Sequence, residues 1–102
     1  MQYAMGFAPD PRSNGHLLMK CKYEIEVRAQ CPVNPTDTDL YQFTIESETL
    51  IEVEKIASFF KANAGKNETF QEALTQQCAV TIGAKVTSIG WHSGIKVTCE
   101  AP

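Results

Sequence analysis

Six side chains of this sequence could do chemistry, and they fall in three places. The stretch Cys31-Pro32-Val33-Asn34-Pro35-Thr36-Asp37-Thr38-Asp39 carries a thiol and two carboxylates. Its two prolines, asparagine and aspartates predict a loop with local side-chain-to-backbone bonds. A thiolate is the reactive form of cysteine. Near its ordinary pKa of ~8.5 a thiol needs a neighbouring cation, such as Arg28 or a group on another subunit, to ionise. Asp37 or Asp39 could then supply a proton to a developing charge. The second place is Gln71-Glu72, at the start of an expected helix. There a carboxylate is favoured by the positive end of the helix dipole and can accept two parallel N–H bonds from a ring edge. Gln71 could bond a ring carbonyl, but it cannot transfer protons as histidine can. The third is His92, which could carry protons near neutral pH. Each has a plainer reading: Cys31 as a small buried residue at a strand end, Glu72 as a dipole partner, Gln71 as a surface glutamine, His92 as a solvated turn residue. Cys78 and Cys99 read as packing, and Trp91 as cover for the core more than as a stacking ring.

The elements that must position these groups follow from periodicity. From Met19 to Gln30, Tyr23, Ile25, Val27 and Ala29 alternate with Lys22, Glu24, Glu26 and Arg28, the period of a half-buried strand. After the loop, Tyr41, Phe43 and Ile45 alternate with Gln42, Thr44 and Glu46, a second strand antiparallel to the first. The period then changes: Leu50, Val53, Ile56, Ala57 and Phe60 form a helical stripe, with Ser47 or Thr49 as cap and Gly65 at its C-terminal end. A second helix starts at Asn67 or Thr69. Its inner face is expected to be Phe70, Ala73, Leu74, Gln77, Cys78, Thr81 and Ile82, and Gly83 ends it. Residues 84–91 and 95–100 read as two further strands around His92-Ser93-Gly94. The order ββααββ predicts an α+β fold, a four-stranded antiparallel sheet with both helices on one face. Its free edges and bare face predict self-association into a homo-oligomer. Residues 1–19 are dense in glycine and proline and read as an irregular arm before a single domain at 20–102.

Composition excludes several classes. The chain has 102 residues, 43% hydrophobic and 21% charged, with a net charge of −3. Disorder is excluded, no apolar run approaches the ~18 residues of a membrane span, and no basic footprint marks a nucleic-acid partner. No signal-peptide pattern opens the sequence, which predicts a cytoplasmic location. The four cysteines contain no Cys-x-x-Cys pair, and disulfide pairing between them stays formally open. With two histidines a triple-histidine zinc site cannot be built, and a Cys/His site drawing on Cys31 and His92 stays formally open; no metal is expected. Asn67-Glu68-Thr69 fits a glycosylation sequon, but in a cytoplasmic protein it reads as a helix cap.

The element order resembles the tunnelling fold (T-fold), whose members bind purines and pterins and include dihydroneopterin aldolase, pyruvoyl-tetrahydropterin synthase and the queuosine-pathway nitrile reductases. Three local matches resemble the nitrile reductase (QueF-like) branch: Cys31-Pro32-Val33 with an Asp downstream, its nucleophile motif; Phe70-Gln71-Glu72, similar to its Phe-His-Glu substrate-binding motif; and Gly90 through Val97, similar to its closing hairpin. The similarity spans roughly residues 22–100. It implies a barrel of several subunits with sites at their boundaries, a purine- or pterin-like heterocycle held by Glu72, and Cys31 adding to a nitrile carbon to form a covalent thioimide, with Asp39 or Asp37 as acid. The sequence departs from the branch in three respects. The family's acid falls between Asp37 and Asp39, and Gln71 stands where histidine is expected. Glu46-Ser47-Glu48-Thr49-Leu50 is similar to the start of the nicotinamide-binding motif but lacks its lysines, so no cofactor is expected. A non-reducing relative, like the archaeal amidinotransferases, fits best; the alternative is a non-catalytic oligomeric binding or assembly module on the same fold.

Overall fold

A computed structural model describes residues 19–30, 33, 38–68 and 70–102, with side chains throughout except at 65–68. Cys31, Asp37 and most of the N-terminal arm lie outside these residues. The strands are β1 (Cys21–Gln30), β2 (Thr38–Ser47), β3 (Gly65–Glu68), β4 (Lys85–His92) and β5 (Ile95–Ala101), and the helices are α1 (Val53–Asn63) and α2 (Gln71–Ile82). The sheet order is β3-β1-β2-β4-β5. The four antiparallel strands and two helices are those the periodicity predicts. The addition is β3, a short strand between the helices that pairs parallel to the end of β1, Ala29 with Gly65 and Gln30 with Glu68.

Strand register follows from alternation. Tyr23, Ile25, Val27 and Ala29 on β1 stand opposite Ile45, Phe43, Tyr41 and Asp39 on β2. This row faces the helices, with Ala29, Phe43 and Ile45 at 0% exposure. The Phe43 ring meets Phe60 of α1 edge to face at 4.8 Å, and Phe60 meets Phe59 at 5.0 Å. Each such buried ring contributes roughly 1.5–3 kcal/mol through burial, with more from edge-to-face geometry. The opposite face is open and polar. Lys22, Glu24, Glu26 and Arg28 are exposed there, and Glu46 lies 3.8 Å from Lys22 and 4.0 Å from Lys85. Trp91 is also on that face, 62% exposed, so it covers no core.

The helices differ from expectation in phase. Helix α1 begins at Val53, and Leu50, Val53 and Ala57 are exposed; the buried set is Ile56, Phe59 and Phe60. The cause is upstream. Ser47 Oγ accepts the Thr49 N–H at 3.0 Å, closing a local turn instead of capping a helix. The Ile51 N–H donates to the Tyr23 hydroxyl at 2.9 Å, which holds the approach extended up to the N-cap, Glu52. Ala64 is the C-cap, and Gly65 opens β3 instead of ending the helix. Asn67 belongs to β3, and Thr69 lies outside the described residues. Phe70 is the N-cap of α2, and the buried face is Gln71, Leu74, Thr75, Cys78, Ala79 and Ile82. Phe70, Ala73, Gln77 and Thr81 are exposed. The polar Gln71 and Thr75 are buried because Ser88 of β4 offers both a hydrogen-bond partner. Gly83, at φ 79°, ends α2 in the left-handed conformation.

Candidate functional site

The site lies where the ends of β2 and β4 meet the first turn of α2. Along β2 the inward row Ile45, Phe43, Tyr41 continues to Asp39, and along β4 the row Val86, Ser88, Gly90 continues to His92. Period two thus delivers a carboxylate and an imidazole to the helix-covered face at the rim of the core. His92 is the last residue of β4, half-buried, and pairs with Ile95 across the turn. It is therefore not a solvated turn residue. The turn is Ser93-Gly94, with φ of 52° and 81°, the two positive values that a tight two-residue hairpin needs.

Helix α2 supplies the other wall. Gln71 is 1% exposed, which overturns the surface reading. Its amide nitrogen donates to Ser88 Oγ at 3.0 Å, to the Val97 carbonyl at 3.1 Å and to the Ser88 carbonyl at 3.3 Å. Its Oε1 lies 2.9 Å from His92 Nε2. Asp39 Oδ2 accepts from the Tyr41 hydroxyl at 3.2 Å and lies 3.8 Å from His92 Nδ1. The Tyr41 ring packs against His92 with centroids 5.8 Å apart. Space for these contacts comes from Gly90: a Cβ there would fall 2.5 Å from Tyr41 Cδ1 and 3.0 Å from Gln71 Oε1.

The result is a cleft of about 260 Å³ lined by Asp39, Tyr41, Gln71, Glu72 and His92, with Val33, Phe70 and Val97 as apolar walls. Four of the six side chains singled out in the sequence, Asp39, Gln71, Glu72 and His92, meet there. Tyr41, Ser88 and Gly90 were missed, although strand phase places all three on the helix-facing side. In sequence Cys31 sits two residues before Val33, which lines this cleft. Glu72 is exposed at the first turn of α2, so its carboxylate faces open solvent and the positive end of the helix.

A second hollow of about 310 Å³ lies on the far side of Glu72, against Thr75, Gln76, Cys99 and Glu100. Cys21, Cys78 and Cys99 are free thiols. Burial pushes the Cys78 thiol up to about 12. Burial also pushes Cys99 up, and the Glu72 carboxylate adds to it. Both stay protonated at neutral pH and are poor nucleophiles. Among the described residues no group of three His, Cys, Asp or Glu side chains is placed to hold a metal ion, and no helix is long and apolar enough to cross a membrane.

Comparison with protein-family models gives no match, and no curated protein matches the sequence. Among solved structures the chain is similar to the archaeosine synthase QueF-like in its apo form. The TM-score is 0.67 at 16% identity, covering 80% of this chain and 90% of the other. That likeness establishes the fold class: an α+β protein of tunnelling-fold type.

Proposed function

We propose that the cleft binds a flat, uncharged heterocycle of purine or pterin type, rich in N–H donors, and that Glu72 anchors its edge. The observation that carries this reading is the convergence of Asp39, Glu72 and His92, from three different elements, on one cleft walled by Phe70 and Val33. Its volume is just below the ~300–1,000 Å³ usual for small-molecule sites, which suits a ligand no larger than a bicyclic ring. Among the described residues, the polar groups that line it and could meet a ligand include two carboxylates and an imidazole nitrogen. No lysine or arginine is among the described lining residues. Such a surface accepts hydrogen bonds and disfavours phosphate, which supports a base over a nucleotide as the ligand.

On this reading the protein is a non-reducing nitrile-modifying enzyme. The Cys31 sulfur bonds the nitrile carbon as one C–N π bond breaks, and the thiol proton, passed through Asp39 or Asp37, ends on nitrogen; nothing is oxidised or reduced. The open sheet edge at β5 and the polar face would pack against further copies of the chain, completing the site. Incubation with a cyano-deazaguanine is expected to raise the intact mass by the full mass of the nitrile, and Cys31→Ala is expected to abolish the increase. An unchanged mass with Cys31 demonstrably alkylatable would remove the covalent step. That result would leave the second reading, a binding module without chemistry, which gains support from Gln71 standing where the resembled motif has a proton-transferring histidine.

A further inference from the structure

We propose that Gln71 is a positioning residue: it fixes His92 as the Nε2–H tautomer, so that Nδ1, facing Asp39, is the ring position at which protons enter and leave the cleft. The assignment follows from the acceptors around the amide. Backbone carbonyls only accept hydrogen bonds, and the carbonyls of Ser88 and Val97 lie 3.3 and 3.1 Å from the Gln71 side-chain nitrogen. Turning the amide over would set its oxygen against both, lone pair to lone pair, inside a buried site.

The hydroxyls nearby agree. The Thr75 hydroxyl donates to the Gln71 backbone carbonyl at 2.7 Å. Its only proton is then spent, so in the 2.6 Å contact between Thr75 Oγ1 and Ser88 Oγ Ser88 is the donor. Ser88 Oγ therefore accepts from Gln71, as the 3.0 Å contact requires. Every link runs in one direction, from His92 through Gln71 and Ser88 to Thr75. Oε1 is left facing His92 Nε2 at 2.9 Å, and an amide oxygen there demands a proton on Nε2.

Among the described residues the groups facing the ring are then Asp39 and Tyr41 on β2 and Gln71 on α2, with Glu72 across the cleft. Tyr41 gives its proton to Asp39. Neutral His92 therefore presents an acceptor at Nδ1 beside a carboxylate. Protonated His92 presents a donor to that carboxylate 3.8 Å away. The cleft changes charge by one without any ring flip or tautomer exchange. This depends on the protein alone and not on which ring the cleft holds.

The test is ring-nitrogen NMR of the ligand-free full chain labelled with ¹⁵N-histidine, with His16→Gln to assign the two histidines. With His92 neutral, the Nε2–H tautomer is expected in roughly tenfold excess or more, the ratio one buried hydrogen bond supports, and acidification should add the proton at Nδ1. Ser88→Ala, which keeps both backbone carbonyls, should leave the pattern unchanged. Gln71→Leu should shift the population towards Nδ1–H, drawn by Asp39. A wild-type spectrum showing mainly Nδ1–H, or an even mixture, would overturn the proposal and needs no variant to fold. So would a folded Gln71→Leu protein that keeps the wild-type pattern.

Discussion

Replacing Glu72 with alanine is expected to weaken binding of guanine-, pterin- or deazaguanine-type rings by at least ~100-fold, about 3 kcal/mol, while lowering the melting temperature of the ligand-free protein by only a few degrees. The two halves have separate causes. A carboxylate that accepts two N–H bonds from a ring edge makes charge-assisted bonds, each contributing roughly 1.5–3 kcal/mol. Glu72 itself is exposed, makes no described salt bridge and sits in the first turn of α2. Its loss removes only a favourable dipole interaction of about 0.3–1 kcal/mol. Glu72→Gln should be nearly as damaging to binding, because the amide presents a donor where the ring presents donors. Calorimetric titration beside a thermal melt measures both. Equal affinity in the variant would remove Glu72 as the anchor.

Gly90→Ala is expected to damage both fold and site. The added Cβ would lie 2.5 and 2.7 Å from two carbons of the Tyr41 ring, and Tyr41 cannot step aside. It is 1% exposed, its edge contact with Phe43 has centroids 6.3 Å apart, and its hydroxyl is tied to Asp39. Overpacking of this kind costs roughly 1–3 kcal/mol, or about 5–20 °C in melting temperature for a domain of this size. Because the displaced ring supports Asp39 and His92, ligand affinity should fall with it. A melt indistinguishable from wild type would mean that β4 and β2 do not approach as closely as described.

The strands were legible in the sequence because alternation is a direct record of which side chains share a face. Tyr41, Phe43 and Ile45 declare their side of β2, and following the same parity one step outwards places Asp39 in the cleft. His92 was open to the same argument through Val86, Ser88 and Gly90. It read as a turn residue because serine and glycine do not look like a buried row. Helix α2 was less legible for a related reason. Its buried face carries Gln71 and Thr75, two polar residues whose burial is tolerated only because Ser88 and the backbone of β4 and β5 satisfy them. No scale of apolarity reports a partner 17 residues away. The same applies to α1, where the Tyr23 hydroxyl captures the Ile51 N–H across 28 residues of sequence and delays the helix. Short β3 was hidden by its glycine and polar side chains. The α+β fold needed only the pattern, whereas the polar network that aims His92 needed the assembled chain.

Whether the cleft is a ring site can be read from a backbone amide NMR titration of the full chain with a soluble pterin. Saturable shifts are expected to concentrate at Asp39, Tyr41, Gln71, Glu72, His92 and Val97, with the open face around Glu24 and Thr44 and the hollow at Cys99 and Glu100 far less affected. Saturable shifts centred on either of those other surfaces, or a spectrum unmoved by pterins and by guanine and deazaguanine bases alike, would contradict a ring site in the cleft.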